Sequence, residues 1–423
     1  MTPRASTVEN GGLFLYDDAK AREFEPFATT RPISETRSGA LLVRERWERV
    51  LRVCATGFVS SEWLQGFAEF DAPRAVVDRD IPAGSWLVNS RALPHLVLDA
   101  AVATGCNALT IDGRIAAVRL ASSLPLSELR DGLATLESLA GDESERCATG
   151  GLWLDEVWDM IATLTPLLMS DIPQLAREHS ASTLTTEQQS SVALLGSHPV
   201  WVEAGVIIEP FVTFDTHAGP VLLRRGSHVQ SFTRVVGPCY IGEESTVMAD
   251  RIANCSIGPT CRAHGELSSS IFIGHANKGH DGFVGHSVLG RWVNLGAGTI
   301  TSNLKNTYGA VSLWTPTGTR WTGQQFLGTL FGDHVKTGIG LRLTTGCVLG
   351  AGANVYDSMP PKAVRPFSWG SSAATYQEFS MEKFVTTADR MMQRRHVHID
   401  DAMREFLCAT YRHGRNDPRW DLP

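Results

Sequence analysis

The chain of 423 residues has no run of about 18 apolar residues, which excludes a helix crossing a bilayer. Its first residues, MTPRASTVENGG, lack the apolar core of a secretory signal. Excess positive charge is also missing: the net charge is −7, so no global basic field recruits a nucleic acid polymer or an anionic membrane. Phosphorylated ligands would need local clusters of Arg and Lys. The eight cysteines are widely spaced and contain no CxxC pair. They read as small hydrophobes carrying reduced thiols, and the expected compartment is the cytoplasm.

Glycine is scarce and then abundant. It supplies 13 of the first 200 residues but 24 of residues 201–352, so the architecture must change near residue 200. Before that point the chain reads as mixed α/β. Gly12-Leu-Phe-Leu-Tyr16 is a short strand ending in Asp17-Asp18. Residues 40–51 carry apolar positions at helical spacing, 86–92 begin as a buried strand, and 108–118 form two β runs around Asp112-Gly113. Residues 126–140 read as an amphipathic helix, 141–151 as a polar break, 154–179 as a further helical segment and 180–191 as a linker.

Beyond residue 198 an apolar residue recurs every six positions. Val202, Ile208 and Phe214 begin the series; Val229, Val235, Ile241 and Val247 continue it, then Leu289 and Leu295. The cleanest run is Phe331, Thr337, Leu343, Leu349 and Val355. A period of six fits neither a helix nor a simple alternating strand; it fits a parallel β-helix with one repeat per side. The glycines that often follow the apolar position (Gly242, Gly258, Gly290, Gly332, Gly350) read as corner residues accepting angles that a Cβ resists. Breaks at 215–222, 263–272 and 303–328 are expected as loops, and loops on a rigid scaffold are where chemistry tends to sit. After Pro360-Pro361, residues 377–413 read as two helices capping the coil. The expected domains are 1–195, 196–365 and 366–423.

The block IGHANKGHDGFVGHSVLGRWVNLGAGTITSNLKNTYG, from Ile273 to Gly309, resembles the acetyltransferase half of the bifunctional N-acetylglucosamine-1-phosphate uridyltransferase/glucosamine-1-phosphate acetyltransferases. The whole chain is similar to GlmU-like sugar nucleotidyltransferases, through Leu15-Tyr-Asp-Asp18, Thr30-Arg-Pro32, Glu35, Arg37, the Glu45–Trp47 pair and Phe367-Ser-Trp-Gly370. The resemblance implies a left-handed coil, a hand that spacing alone would not give because parallel crossovers are normally right-handed. It also implies a homotrimer with active sites between neighbouring subunits, and sugar phosphates, nucleotides and acetyl-CoA as ligands.

Residue by residue, the resemblance makes His280 the base that takes a proton from the sugar amine, a task suited to an imidazole near neutral pH. Asn294 matches an asparagine bonded to the sugar, and Ala297 a backbone N–H that meets acetyl-CoA. Asn277, Lys278, Phe283, Asn303 and Lys305 fall in the same block, and Arg262 is a further cation available to a sugar phosphate. Two departures are plain. Phe283 stands where the bifunctional enzymes have tyrosine, and their phosphate-gripping arginine and lysine have no clean counterpart. In the N-terminal half the Gly-rich loop that cradles a triphosphate is absent after Leu13–Tyr16. Arg31, Arg37 and Asn89 are the candidates for the nucleotide, and Asp17 and Asp18 for Mg2+.

Two other readings compete with acyl transfer. His275 and His280 have the spacing of two ligands in a zinc hydratase built on the same coil, although Cys239-Tyr240 occupies the place of its third histidine. A non-catalytic trimeric scaffold that binds sugar nucleotides is the other.

Overall fold

The computed structural model describes residues 11–96, 105–141, 145–370 and 376–421. Residues 142–144, within the expected polar break, lie outside the described residues. The chain forms two compact units. One holds the chain up to residue 24, with 31–36 and 41–155; the other holds 25–30, 37–40 and everything from 156 onward. The helical segment after residue 155 and the C-terminal helices therefore cluster with the coil, where the sequence suggested three domains.

The first unit is built on a six-stranded sheet. Its strands run in the order Ala55–Val59, Leu13–Tyr16, Trp86–Asn89, Arg114–Arg119, Ala108–Ile111, Arg146–Ala148. The first three are parallel, and their apolar runs are buried, as expected for strands covered on both faces. Ala108–Ile111 and Arg114–Arg119 form the expected hairpin, with Asp112 (φ 49°) and Gly113 (φ 77°) in the left-handed region. The helix expected at 40–51 is observed as Val43–Leu51, its first turn closed by the Glu45 carboxylate accepting from the Leu42 N–H at 2.8 Å.

The helix expected over 126–140 is not continuous. A 3-10 turn at Leu126–Glu128 and a short helix at Leu136–Ala140 flank a turn at Gly132. Gly132 has φ 78°, and a Cβ there would lie 2.8 Å from the Ala19 nitrogen. Leu126, Leu129 and Leu136 still reach one core, so the apolar spacing is satisfied without a helix. Cys106 and Cys147 are joined as a disulfide in this unit, which corrects the expectation that all eight cysteines are reduced thiols. Cys239, Cys255, Cys261 and Cys347 of the second unit are free and buried, and burial raises each thiol pKa.

The second unit is a parallel β-helix. Short strands on three sides pair with the equivalents one coil away, as in Val221–Leu223 with Cys239–Ile241, His228–Val229 with Thr246–Met248, and Thr233–Val236 with Asp250–Ala253. The side chains of the six-residue ladder point into one column: Val202, Phe214, Val229, Val235, Ile241, Val247, Leu289, Leu295, Phe331, Leu343, Leu349 and Val355 share a single core. The coil continues through 263–272, with strands Arg262–His264, Glu266–Ser268 and Ile271–Phe272; no loop leaves there. Residues 303–328 do leave it, as a hairpin of Ser312–Thr315 and Gly318–Trp321.

The glycines after the apolar positions serve a purpose other than the one expected. A Cβ on Gly258 would lie 2.2 Å from the Ile273 carbonyl oxygen, and one on Gly350 would lie 2.4 Å from the Pro366 nitrogen. These glycines permit the close approach of successive coils. After Gly242, Gly258, Gly290 and Gly332 positive φ falls two residues later, on Glu244 (56°), Thr260 (57°), Trp292 (63°) and His334 (61°). Those residues accept αL strain of about 1–2 kcal/mol each. Helices Met381–Gln393 and Asp401–Asn416 complete the unit, as the spacing suggested, with Phe384, Ala388, Phe406 and Leu407 buried.

Candidate active site

His280 lies in the corner 279–282, between the strands Asn277–Lys278 and Phe283–Gly285. Its side chain is exposed and faces a cavity of about 250 Å³. Arg262, His275, Asn277, Asn294, Trp292, Arg394 and Arg395 line the same cavity. Equivalent positions on successive coils produce this grouping: Arg262 pairs with Asn277, and Asn277 with Asn294. The Asn277 amide donates to the Asn294 side-chain oxygen at 2.8 Å. That bond orients Asn294 and leaves its NH2 available as a donor.

Lys278 has a different place from the one expected. Its side chain is buried, and its ammonium donates to the His264 carbonyl at 2.7 Å and to the His280 carbonyl. Burial lowers its pKa to about 8, against the opposing pull of Asp281 and Asp250. It holds the loop that presents His280; it does not reach the cavity. Beyond Asn294 the next coil places Lys336, whose amine donates to the His334 carbonyl at 2.9 Å and whose pKa burial lowers to about 7.

Phe283, Asn303 and Lys305 do not line the His280 cavity. The Asn303 amide NH2 donates to His286 Nδ1 at 2.8 Å, and a Cβ on Gly285 would touch both Phe283 and Asn303. Lys305 sits 4.9 Å above the Trp321 ring and lines a second cavity of about 520 Å³ with Ser302, Leu304 and Arg342. Ala297 lies between Gly296 and Gly298, its carbonyl accepting from the Gly340 N–H at 2.7 Å. Its own N–H has no partner among the described residues.

The ligand set of a zinc hydratase is not formed. His275 Nδ1 is 3.2 Å from an Arg291 guanidinium nitrogen, and its ring packs 4.4 Å from Trp292. Among the described residues the one group able to share an ion is Glu25, His413 and Asp417, and Arg419 already pairs with both carboxylates.

In the first unit, the cavity of about 330 Å³ opens beyond the carboxyl ends of Leu13–Tyr16 and Trp86–Asn89. The chain leaves these neighbouring strands toward opposite sides of the sheet, the position where open α/β sheets bind ligands. Asp18, Lys20, Asn89, Arg91, Arg114 and Trp153 line it. Arg91 grips Asp18 through two nitrogens at 2.6 and 2.9 Å, and Asn89 donates to Asp18 at 2.8 Å. Burial would raise the Asp18 carboxyl; the bonds and charge of Arg91, with Asn89, outweigh it and hold the pKa below its usual value. Asp17 is buried and accepts from Ser60 and the Ile33 N–H, and burial pushes its carboxyl up.

Asp18 is held by Arg91 and Asn89, and Asp17, although its Oδ1 has no partner, is buried and does not line the cavity, so neither offers the hydrated, accessible carboxylate that Mg2+ takes. Arg31 is buried in a pair with Glu69 at 3.1 Å. Arg37 is buried against the Ile273 carbonyl and the Tyr240 ring. Neither arginine lines this cavity, so of the three nucleotide candidates only Asn89 lies at it. Arg91, Arg114, Arg394 and Arg395 escaped the sequence reading. The first two follow strands whose pairing is not written in local spacing, and the last two are distant from His280 along the chain.

Known proteins resemble the chain in both its N-terminal and its coil regions. Residues 13–180 match the family model described as sugar nucleotidyl transferase. A bifunctional sugar-1-phosphate nucleotidylyltransferase/acetyltransferase of Sulfurisphaera tokodaii is 33% identical over 91 residues, 22% of this chain and 23% of the relative. Bifunctional GlmU proteins of Methanococcus vannielii and Micrococcus luteus are 27% identical over 158 residues and 23% identical over 269. Those alignments cover 37% and 55% of this chain, and 33% and 48% of the relatives. The chain thus spans less than half the length of these curated relatives.

Proposed function

We propose that this chain, a GlmU-like protein with a sugar nucleotidyl transferase region ahead of a β-helix, makes sugar nucleotides by two chemical steps at two sites. In the coil, an acetyl group passes from acetyl-CoA to the amine of an amino-sugar 1-phosphate. His280 takes the amine proton as the nitrogen attacks the thioester, and Asn294 orients the sugar through its NH2. The Ala297 N–H donates to the acyl carrier. The observation that carries this reading is the exposed His280 imidazole in one cavity with the Asn277–Asn294 pair.

The reading includes a homotrimer. The His280 cavity and the cavity of Lys305 are separate in one copy, and packing of coils would let one complete the other. Exposed apolar side chains on the coil favour such packing: Phe211 and Phe232 stack at 5.6 Å and are 70% and 72% exposed, and Ile339 is 84% exposed. In the first unit the cavity of Lys20, Asn89, Arg91, Arg114 and Trp153 takes the sugar phosphate and nucleotide. This is a cytoplasmic, small-molecule role.

Two assays test the pair of sites. Thiol release from acetyl-CoA is measured with a panel of amino-sugar phosphates, and pyrophosphate release with UTP or dTTP, Mg2+ and sugar 1-phosphates. Acceptor-dependent thiol release is expected. Its absence with every acceptor, from a folded oligomer, favours the non-catalytic scaffold.

A further inference from the structure

Three guanidinium groups converge on the His280 cavity: Arg262 from the coil, and Arg394 and Arg395 from the end of the Met381–Gln393 helix. No carboxylate lines that cavity. None of the three arginines forms an ion pair or side-chain hydrogen bond with a described residue. Like charges gathered without a counter-ion repel one another. Burial, then the charges of Arg262 and Arg394, lower the pKa of Arg395. An arrangement that leaves the bidentate donors of three arginines unclaimed is complementary to a dianion. The polar remainder of the cavity, His280, Asn277 and Asn294, suits a neutral polyhydroxylated ring beside that dianion.

We propose that Arg262, Arg394 and Arg395 form the phosphate grip of the coil site, with the helical cap supplying two of its three cations. The ligand group is a phosphate monoester carried by the acceptor sugar. This assignment rests on the acyl-transfer reading for the identity of the acceptor, but not for the binding of phosphate. It also gives the C-terminal helices a part in the site beyond covering the end of the coil.

The test uses the full-length chain and the variants Arg394→Gln/Arg395→Gln and Arg262→Gln, each checked for wild-type thermal unfolding and oligomer size. Binding of glucosamine 1-phosphate, unphosphorylated glucosamine and coenzyme A is measured by calorimetry, beside KM values for acetyl-CoA and the acceptor. The expected result is wild-type binding of the sugar phosphate that weakens about ten- to hundredfold in the double variant. Binding of unphosphorylated glucosamine and the KM for acetyl-CoA should not change. Arg394→Lys/Arg395→Lys should restore part of the loss, because charge returns without the planar fork. If the variants instead weaken coenzyme A alone, the grip belongs to the acyl carrier and the assignment is overturned. Unchanged binding of every ligand overturns it outright. Phosphate binding that depends on the arginines, in a protein without acyl transfer, would leave this inference standing and remove the proposed reaction.

Discussion

Two cavities, one in each compact unit, carry three cationic side chains apiece, and they differ in what faces those charges. In the sheet unit Lys20 pairs with Glu23 at 3.3 Å, Arg91 with Asp18 at 2.6 Å and Arg114 with Asp155 at 2.7 Å. In the coil unit Arg262, Arg394 and Arg395 have no such partners among the described residues. A phosphate entering the first cavity must compete with carboxylates already held in good geometry. One entering the second meets donors that no carboxylate claims. The same residue types therefore build a pre-paired polar network in one place and an open anion site in the other.

The largest effect that would sharpen this contrast is loss of one activity without the other. His280→Ala should lower acyl transfer by about 10²- to 10⁴-fold while leaving nucleotidyl transfer unchanged. Equal losses in both assays would break the division of labour. Next in size is the paired network itself. Arg91→Ala leaves the half-buried Asp18 without its charged partner and should cost about 1–3 kcal/mol of stability, read by denaturant unfolding.

The acid limb of that network has a definite sign. The Asp18 carboxyl titrates lower in the fold than in the unfolded chain. Its contribution is therefore complete above the unfolded value, about 3.9, and is lost as pH falls through the lower folded value. Asp18→Asn should flatten stability against pH in that acid range. No change in slope there would show that Arg91 does not hold the carboxylate.

Glycine offers a smaller contrast between the units. Gly258→Ala should cost about 2–3 kcal/mol, because the methyl meets the next coil's backbone. Gly113→Ala, in open space at φ 77°, should cost only about 1 kcal/mol of αL strain. Of similar size is the effect of Lys278→Met, which frees the His280 loop without touching the cavity. A roughly tenfold fall in kcat with little change in KM for acetyl-CoA is expected. A rise in the acceptor KM alone would instead return Lys278 to the substrate.

How much of this was legible in sequence follows from the range of the forces involved. The ladder from Val202 to Val355 was legible because every coil must bury one apolar side chain in the same column. The corner glycines were located but misread: the period shows where a small residue is needed, not whether angle or space requires it. Trp292 and His334 at positive φ carry no local signal at all. His280, Asn277 and Asn294 share a cavity as the motif implied. Lys278 lay in the same motif and turned inward, since sequence spacing does not say which carbonyls a flexible amine will find. Arg394 and Arg395 reach the site only through the docking of a helix far along the chain, a tertiary contact without periodicity.

The central claim is that the His280 cavity acetylates an amino-sugar phosphate. Its most direct test is transfer of labelled acetyl from acetyl-CoA to glucosamine 1-phosphate and related amino-sugar phosphates, with the product identified by mass spectrometry. The wild-type protein should yield an N-acetylated sugar phosphate, and His280→Gln should yield almost none while keeping its fold and oligomeric size. Product formed equally well by both proteins would contradict the account.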